Sequence, residues 1–356
     1  MRGRFHPLAI ADLRRETPDC VSIAFTVPPE LHPAFRFKPG QYLTLRARPN
    51  GIDIRRCYSI CSGLDDGELR VAVKRVPGGV FSAVADALQV GDKIDVSPPE
   101  GRFTIPLRAA AARHYLAIAA GSGITPVLSL IKSILGREPK SRFFLLYGNR
   151  TGRDIIFAEE LARLKDRHLD RFSVTHVLSR EAQDVPVLSG RLDPDHIRRL
   201  LPALVPIAAI DRAFLCGPEA MMDAAAGTLA EMGLRPDRIL REYFLAGEGG
   251  HAAPPVEVGS ESRPATIASI VIDGRRHEVP VPENTPIIDA AIAAGLDLPY
   301  SCRGGMCCTC RARLVDGKAE MAVNYSLQQW EIDAGFILTC QARPLTDHLT
   351  LDYDAV

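Results

Sequence analysis

Residues 301–310 read SCRGGMCCTC, and a further cysteine follows at Cys340. Cys302, Cys307 and Cys310 are spaced C-x4-C-x2-C, and 29 residues separate Cys310 from Cys340. The spacing suits a tight loop presenting three thiolates to a pair of irons, with a fourth arriving from elsewhere in the fold. Gly304 and Gly305 keep the loop open, so backbone N–H groups can approach the sulfurs without a Cβ in the way. A structural zinc site also takes four cysteines, but such sites usually carry two C-x2-C pairs, and these four residues contain one. A [2Fe–2S] cluster held by Cys302, Cys307, Cys310 and Cys340 is the expectation, with Cys308 a bystander beside a ligand.

Outward from the loop, Ile267 to Val279 reads as a hairpin turning at Asp273-Gly274, and Pro286 to Ala294 as a short helix. Phe336 to Thr339 is an apolar run that delivers Cys340. Over Ala265 to Val356 the chain resembles a plant-type ferredoxin domain, which implies an α+β β-grasp fold.

Before it, Gly247 to Pro264 (GEGGHAAPPVEVGSESRP) has no sustained apolar periodicity and reads as a linker spanning about 20–25 Å on average. From Ala265 onward there are 7 Lys/Arg and 12 Asp/Glu, against 36 and 31 before it. Either the surface charge drifts by chance, or an acidic module docks on a basic body. The whole chain of 356 residues carries 43 basic and 43 acidic residues, so no global positive field points to nucleic acid. At 46% hydrophobic and 24% charged it has the composition of a globular protein. Its most apolar stretch, Tyr115 to Ile131, is broken by Gly121, Ser122, Gly123, Thr125 and Pro126, so no membrane span is expected. No apolar signal segment follows Met1 to Leu8, and five of nine cysteines cluster in the last fifth of the chain. Bound metal rather than a disulfide framework, and a cytoplasmic location, are the expectations.

The first hundred residues alternate at the period of half-buried strands, as in Leu43/Leu45 and Leu69/Val71/Val73, with turn signals between them. After them, apolar runs at Tyr115–Ala120, Phe143–Tyr147, Val174–Leu178, Phe214–Cys216 and Ile239–Phe244 alternate with helix-period segments such as Val127, Leu130, Ile131 and Ile134. That rhythm predicts a parallel sheet covered by helices. Asp211 and the scattered histidines read as surface or turn residues.

Within these regions, Arg56-Cys57-Tyr58-Ser59 offers a phosphate-pairing guanidinium, a ring that stacks on a flat heterocycle, and a hydroxyl. Lys74 ends a strand, and Gly79-Val80-Phe81-Ser82 opens a helix over Phe81 to Leu88 whose free N–H groups suit a pyrophosphate. Gly121-Ser122-Gly123-Ile124-Thr125-Pro126 joins a strand to a helix, though Pro126 stands where a third glycine is common. Cys216-Gly217-Pro218-Glu219 marks another strand end, where open parallel sheets bind ligands. Cys216 alone reads equally well as a small core residue.

The ordered set RCYS, GVFS, PPEGRF, GSGITP, YGNRT and CGPE resembles the ferredoxin–NADP reductase superfamily over roughly Phe5 to Phe244. By that resemblance the chain has an antiparallel β-barrel flavin domain (residues 1–109) and an α/β parallel-sheet nicotinamide domain (110–246). The linker (247–264) and the ferredoxin domain (265–356) follow. The resemblance implies FAD held by Arg56, Tyr58, Ser59, Lys74 and Gly79 to Ser82, with FMN the choice of phthalate-type relatives. It implies NADPH held by Gly121, Gly123, Thr125, Pro126, Gly217 and Glu219, and by Arg180 at the ribose phosphate. Ser59 and Cys216 would flank hydride transfer. Reductases with the ferredoxin module last serve multicomponent oxygenases. With its LSRE and SCRGGMCCTC segments, the chain most resembles the reductase subunits of phenylacetyl-CoA epoxidases, which implies a di-iron oxygenase as acceptor. Reductases of steroid hydroxylases or Rieske-type oxygenases, and a redox-sensing binding module, are the alternatives.

Overall fold

The computed structural model describes residues 5–244 and 266–355; the linker expected at 247–264 lies outside them. By contact the chain divides into two compact units. The larger comprises Pro7–Leu43 and Tyr58–Phe244, and the smaller gathers Thr44–Cys57 with the C-terminal segment.

The larger unit begins with long antiparallel strands. β1 (His6–Thr17) pairs with β2 (Cys20–Thr26). Strands β3 (Tyr42–Ala47) and β4 (Ile54–Ser59) lie mostly within the smaller unit's Thr44–Cys57, and in the larger unit β5 (Leu69–Lys74) pairs antiparallel with β2. Leu8 and Ile10 of β1 are almost wholly buried between more exposed neighbours, whereas β2 and β5, with Ile23 and Val71, are buried nearly throughout. Helix α1 (Val80–Ala87) leads to β6 (Lys93–Val96), the neighbour of β1 on the side away from β2.

Next come β7 (His114–Ala120), α2 (Ile124–Arg137), β8 (Arg142–Asn149), α3 (Ala158–Arg167) and β9 (Phe172–Leu178). Helix α4 (Pro194–Leu204), β10 (Ile210–Gly217), α5 (Glu219–Glu231) and β11 (Ile239–Tyr243) complete the unit. The five strands are parallel in the order β11-β10-β7-β8-β9. Both faces are covered: Tyr115, Phe143, Leu145 and Phe214 pack on one side, and Leu116, Ile118, Leu146 and Leu215 on the other. Asp211, expected at the surface or in a turn, lies in neither a turn nor a fully exposed position. It is a half-buried residue of β10 whose Oδ2 accepts a hydrogen bond from His114 N at 2.9 Å, because β10 and β7 pair there.

The strand order reverses between β7 and β10, and a sheet of this kind opens its ligand crevice at that point. The loop after β7 and the loop after β10 both end there. They pack so closely that a Cβ on Gly123 would lie 2.1 Å from the Cys216 carbonyl oxygen. Gly123→Ala should therefore lower unfolding stability by about 3 kcal/mol, since backbone rather than a flexible side chain must give way. Gly227, within α5, has no atom within 4 Å of such a Cβ. Gly227→Ala should instead stabilise by roughly 0.5–1 kcal/mol in the same denaturant titration.

In the C-terminal segment, β12 (Thr266–Ile272) and β13 (Arg275–Val281) form a hairpin with left-handed Asp273 and Gly274 at its tip. Helix α6 (Ile287–Ala293), β14 (Arg311–Asp316), β15 (Ala319–Met321), α7 (Gln329–Asp333), β16 (Phe336–Leu338), β17 (Ala342–Pro344) and β18 (His348–Asp352) follow. The sheet order is β13-β12-β18-β14-β16, with β12 and β18 parallel at its centre. Ile287, Ile288 and Ala291 of α6 pack into the same core as Ile270, Val279 and Leu351. This is the β-grasp arrangement expected around the cysteine loop.

Candidate functional site

The loop from Ser301 to Cys310 joins α6 to β14. Arg303 and Cys308 adopt left-handed backbone at φ 52° and 57°, rare for residues with a Cβ, and Gly305 lies at φ 75°. The resulting curl lets Gly304 N donate to Cys302 Sγ at 3.4 Å. Cys340 arrives at the end of β16. Thr339 N and Thr339 Oγ1 both donate to the Cys310 carbonyl, at 3.2 and 3.0 Å, which seats Cys340 beside Cys310. The four thiols stand in two hydrogen-bonded pairs, Cys302 with Cys307 and Cys310 with Cys340. Two thiols for each of two irons fit this donor set.

In the larger unit, Ser59 ends β4 almost wholly buried and donates from Oγ to Glu242 Oε2 at 2.9 Å. The Tyr58 ring lies against Phe81, centroids 5.3 Å apart and tilted by 39°. Phe81 and Ser82 are in the first turn of α1, which begins at Val80, one residue before the expected start. No side chain caps that turn at Gly79, so its leading N–H groups remain available to an anion, as a pyrophosphate cradle needs. Lys74, at the end of β5, pairs with Asp19 at 3.5 Å. In the smaller unit, Arg56 donates from Nη1 to the Arg55 carbonyl at 2.9 Å and is half-buried.

At the crevice between β7 and β10, Gly121 has left-handed backbone and its carbonyl accepts from the Tyr147 hydroxyl at 2.9 Å. Thr125 Oγ1 donates to the Ser122 carbonyl, and Thr125 and Pro126 are buried in the first turn of α2. Gly217 ends β10, where a Cβ would meet Met221 Cε at 2.8 Å, and the exposed Glu219 begins α5. Arg180 follows β9 with its side chain exposed, while its backbone N–H bonds the Arg150 carbonyl at 2.8 Å.

Cys216 is fully buried in the core beneath the sheet, and burial holds the thiol protonated. It is a packing residue first. Glu242, its register partner on β11, is the residue that sequence reasoning missed. Burial pushes the Glu242 carboxyl up to about 8, partly offset by the hydrogen bond from Ser59. A carboxylic acid at that value keeps its proton near neutral pH.

Three domain families match in chain order: an oxidoreductase FAD-binding domain over residues 8–105, an oxidoreductase NAD-binding domain over 117–227, and a 2Fe-2S iron-sulfur cluster binding domain over 270–345. The chain is 42% identical over 353 residues to a subunit of the 1,2-phenylacetyl-CoA epoxidase of Escherichia coli, covering 99% of this chain and 98% of that protein. The chain belongs to the oxygenase reductase family. Another oxygenase reductase, the ferredoxin reductase component of the 3-ketosteroid-9-alpha-monooxygenase of Rhodococcus rhodochrous, is 36% identical over 97% of this chain and 96% of that protein. Phthalate dioxygenase reductase, a modular structure for electron transfer from pyridine nucleotides to [2Fe-2S], matches at a TM-score of 0.59 and 25% identity, covering 98% of each chain. As an oxygenase reductase the chain is a flavin oxidoreductase that uses FAD, a nicotinamide nucleotide and a [2Fe–2S] cluster. Its acceptor is an oxygenase component. Among the described residues no helix is long and apolar enough to cross a membrane.

Proposed function

We propose that the chain takes electrons from NADPH and passes them, through FAD and the cluster, to the di-iron oxygenase of a phenylacetyl-CoA epoxidase in the cytoplasm. The full-length 42% identity to a phenylacetyl-CoA epoxidase subunit carries this choice over the steroid-hydroxylase reading. Bound FAD supplies the exchange between two-electron and one-electron chemistry. The proposed divisions are 1–109, 110–246, 247–264 and 265–356.

The chain's own residues then have these roles. Arg56, Tyr58 and Lys74 hold the flavin, and the open first turn at Gly79 to Ser82 receives its phosphates. Gly121, Gly123, Thr125, Pro126, Gly217 and Glu219 shape the nicotinamide crevice. Ser59 and Cys216 stand at the site of hydride transfer, and the Ser59–Glu242 pair holds a proton there. Cys302, Cys307, Cys310 and Cys340 hold the cluster. Turnover of phenylacetyl-CoA, on mixing with the purified oxygenase of that system, tests the pathway. Turnover only with a steroid hydroxylase oxygenase would replace it, and absence of NADPH-driven ferricyanide reduction would favour the redox-sensing alternative.

Arg180 carries the choice of NADPH. Its exposed guanidinium follows β9, where it can grip a ribose 2′-phosphate in two places. Arg180→Ala should raise KM for NADPH by about tenfold and leave KM for NADH nearly unchanged in steady-state assays. Equal use of both nucleotides by the native protein would remove the basis for this assignment.

A further inference from the structure

Strand β4 is two-sided. Residues 55 and 57 share one face and 56 and 58 the other, because side chains alternate along a strand. Arg56 and Tyr58 belong to the flavin set; Arg55 and Cys57 had no assigned role. In the smaller unit both reach the segment that leads into the cluster loop.

Arg55 is 6% exposed, and its guanidinium is held on every side. Nε donates to Asp53 Oδ1 at 2.9 Å, Nη2 to Asp297 Oδ1 at 2.9 Å, and Nη1 to the Leu298 carbonyl at 3.3 Å. The same group lies 4.2 Å from the Tyr300 ring centroid and 5.2 Å from that of Phe5. Burying this cation away from water is tolerated because each of its nitrogens has a partner and an aromatic face covers it. Three contacts thus fall on Asp297, Leu298 and Tyr300, just ahead of Cys302. Cys57 acts two residues further along the same face: its thiol donates to Ser301 Oγ, with Sγ and Oγ 2.9 Å apart.

We propose that Arg55 and Cys57 are positioning residues for the [2Fe–2S] cluster: Arg55 clamps residues 297–300, and the Cys57 S–H holds Ser301, the residue before the ligand Cys302. This deepens the reading of the chain as a reductase and rests on the cluster ligands assigned above. Groups that orient a cluster's ligands tune its potential, so residues outside the ferredoxin segment help to set it. No new chemical step is involved.

Full-length holoprotein tests this with two variants, each first assayed for iron and flavin content. Cys57→Ala should shift the cluster's reduction equilibrium about tenfold, which is 59 mV for a one-electron couple in a redox titration followed by EPR. Cys57→Ser, which keeps a donor, should restore most of the shift. Arg55→Ala should raise amide exchange across residues 297–301 about tenfold and leave exchange in β12 and β18 unchanged. A Cys57→Ala potential within twofold of native, or native protection of 297–301 in Arg55→Ala, overturns the proposal. Native protein that binds no cluster would overturn the reductase reading itself, a separate result visible before any variant is made.

Discussion

Replacing Cys310 with serine should abolish the visible absorption and EPR signature of the cluster and the reduction of cytochrome c, whereas Cys308→Ser should retain all three. The two residues stand close in sequence but differ in their surroundings. Cys310 is buried, paired with Cys340 and fixed through its carbonyl by Thr339, while Cys308 is only half-buried, on left-handed backbone. Removing one of four ligands leaves an iron with an open position, and a hydroxyl is a poor replacement for thiolate on iron. NADPH-driven reduction of ferricyanide should survive in Cys310→Ser, because the flavin residues lie on other elements. The opposite pattern, with Cys308→Ser colourless, would show that the ligand register is wrong by two residues.

Glu242→Gln should slow NADPH-driven flavin reduction by roughly 10²-fold at neutral pH, as loss of a positioned acid does. Bringing a bound flavin to its neutral two-electron-reduced form would require one proton besides the hydride. A carboxyl raised to about 8, 2.9 Å from the Ser59 hydroxyl, is a place to hold one. The native rate should therefore fall as pH rises through about 8, while the glutamine variant shows no inflection there in anaerobic rapid mixing. Stability should follow the same proton. The folded carboxyl binds it more tightly than the unfolded one, so its favourable contribution is complete below the ordinary value of 4.5 and is lost as pH rises through about 8. Glu242→Gln should accordingly be the more stable protein above that pH. An inflection that persists in the variant would assign the proton to another group.

Much of the fold was legible because the central sheet is buried on both faces. Tyr115–Ala120, Phe143–Tyr147 and Phe214–Cys216 are unbroken apolar runs, and each falls inside a strand, as does Val174–Leu178, which Thr175 and His176 interrupt. The 2Fe-2S domain was legible because three of the four cysteines proposed as ligands lie within nine residues, at a spacing that suits two irons. Glu242 was not. In Arg241-Glu242-Tyr243 it reads as an ordinary charged residue at the end of a strand, and its meaning comes from Ser59, 183 positions earlier. Arg55 was hidden in the same way, since its partner Asp297 is 242 positions away. Gly123 reads in the sequence as a place for a phosphate to approach; the structure adds the nearer demand, the Cys216 carbonyl packed against its Cα.

The parallel pairing of β12 with β18 has a consequence for how the chain is made. The strand at the middle of the C-terminal sheet, His348–Asp352, is the last of its five to leave the ribosome, and its neighbour Thr266–Ile272 is the first. The cysteine loop is synthesised between them, so it must wait for the final strand before its β-grasp scaffold closes. Iron and sulfide delivery during biogenesis would then find a finished scaffold only after translation of the segment ends, with the thiols exposed until that moment.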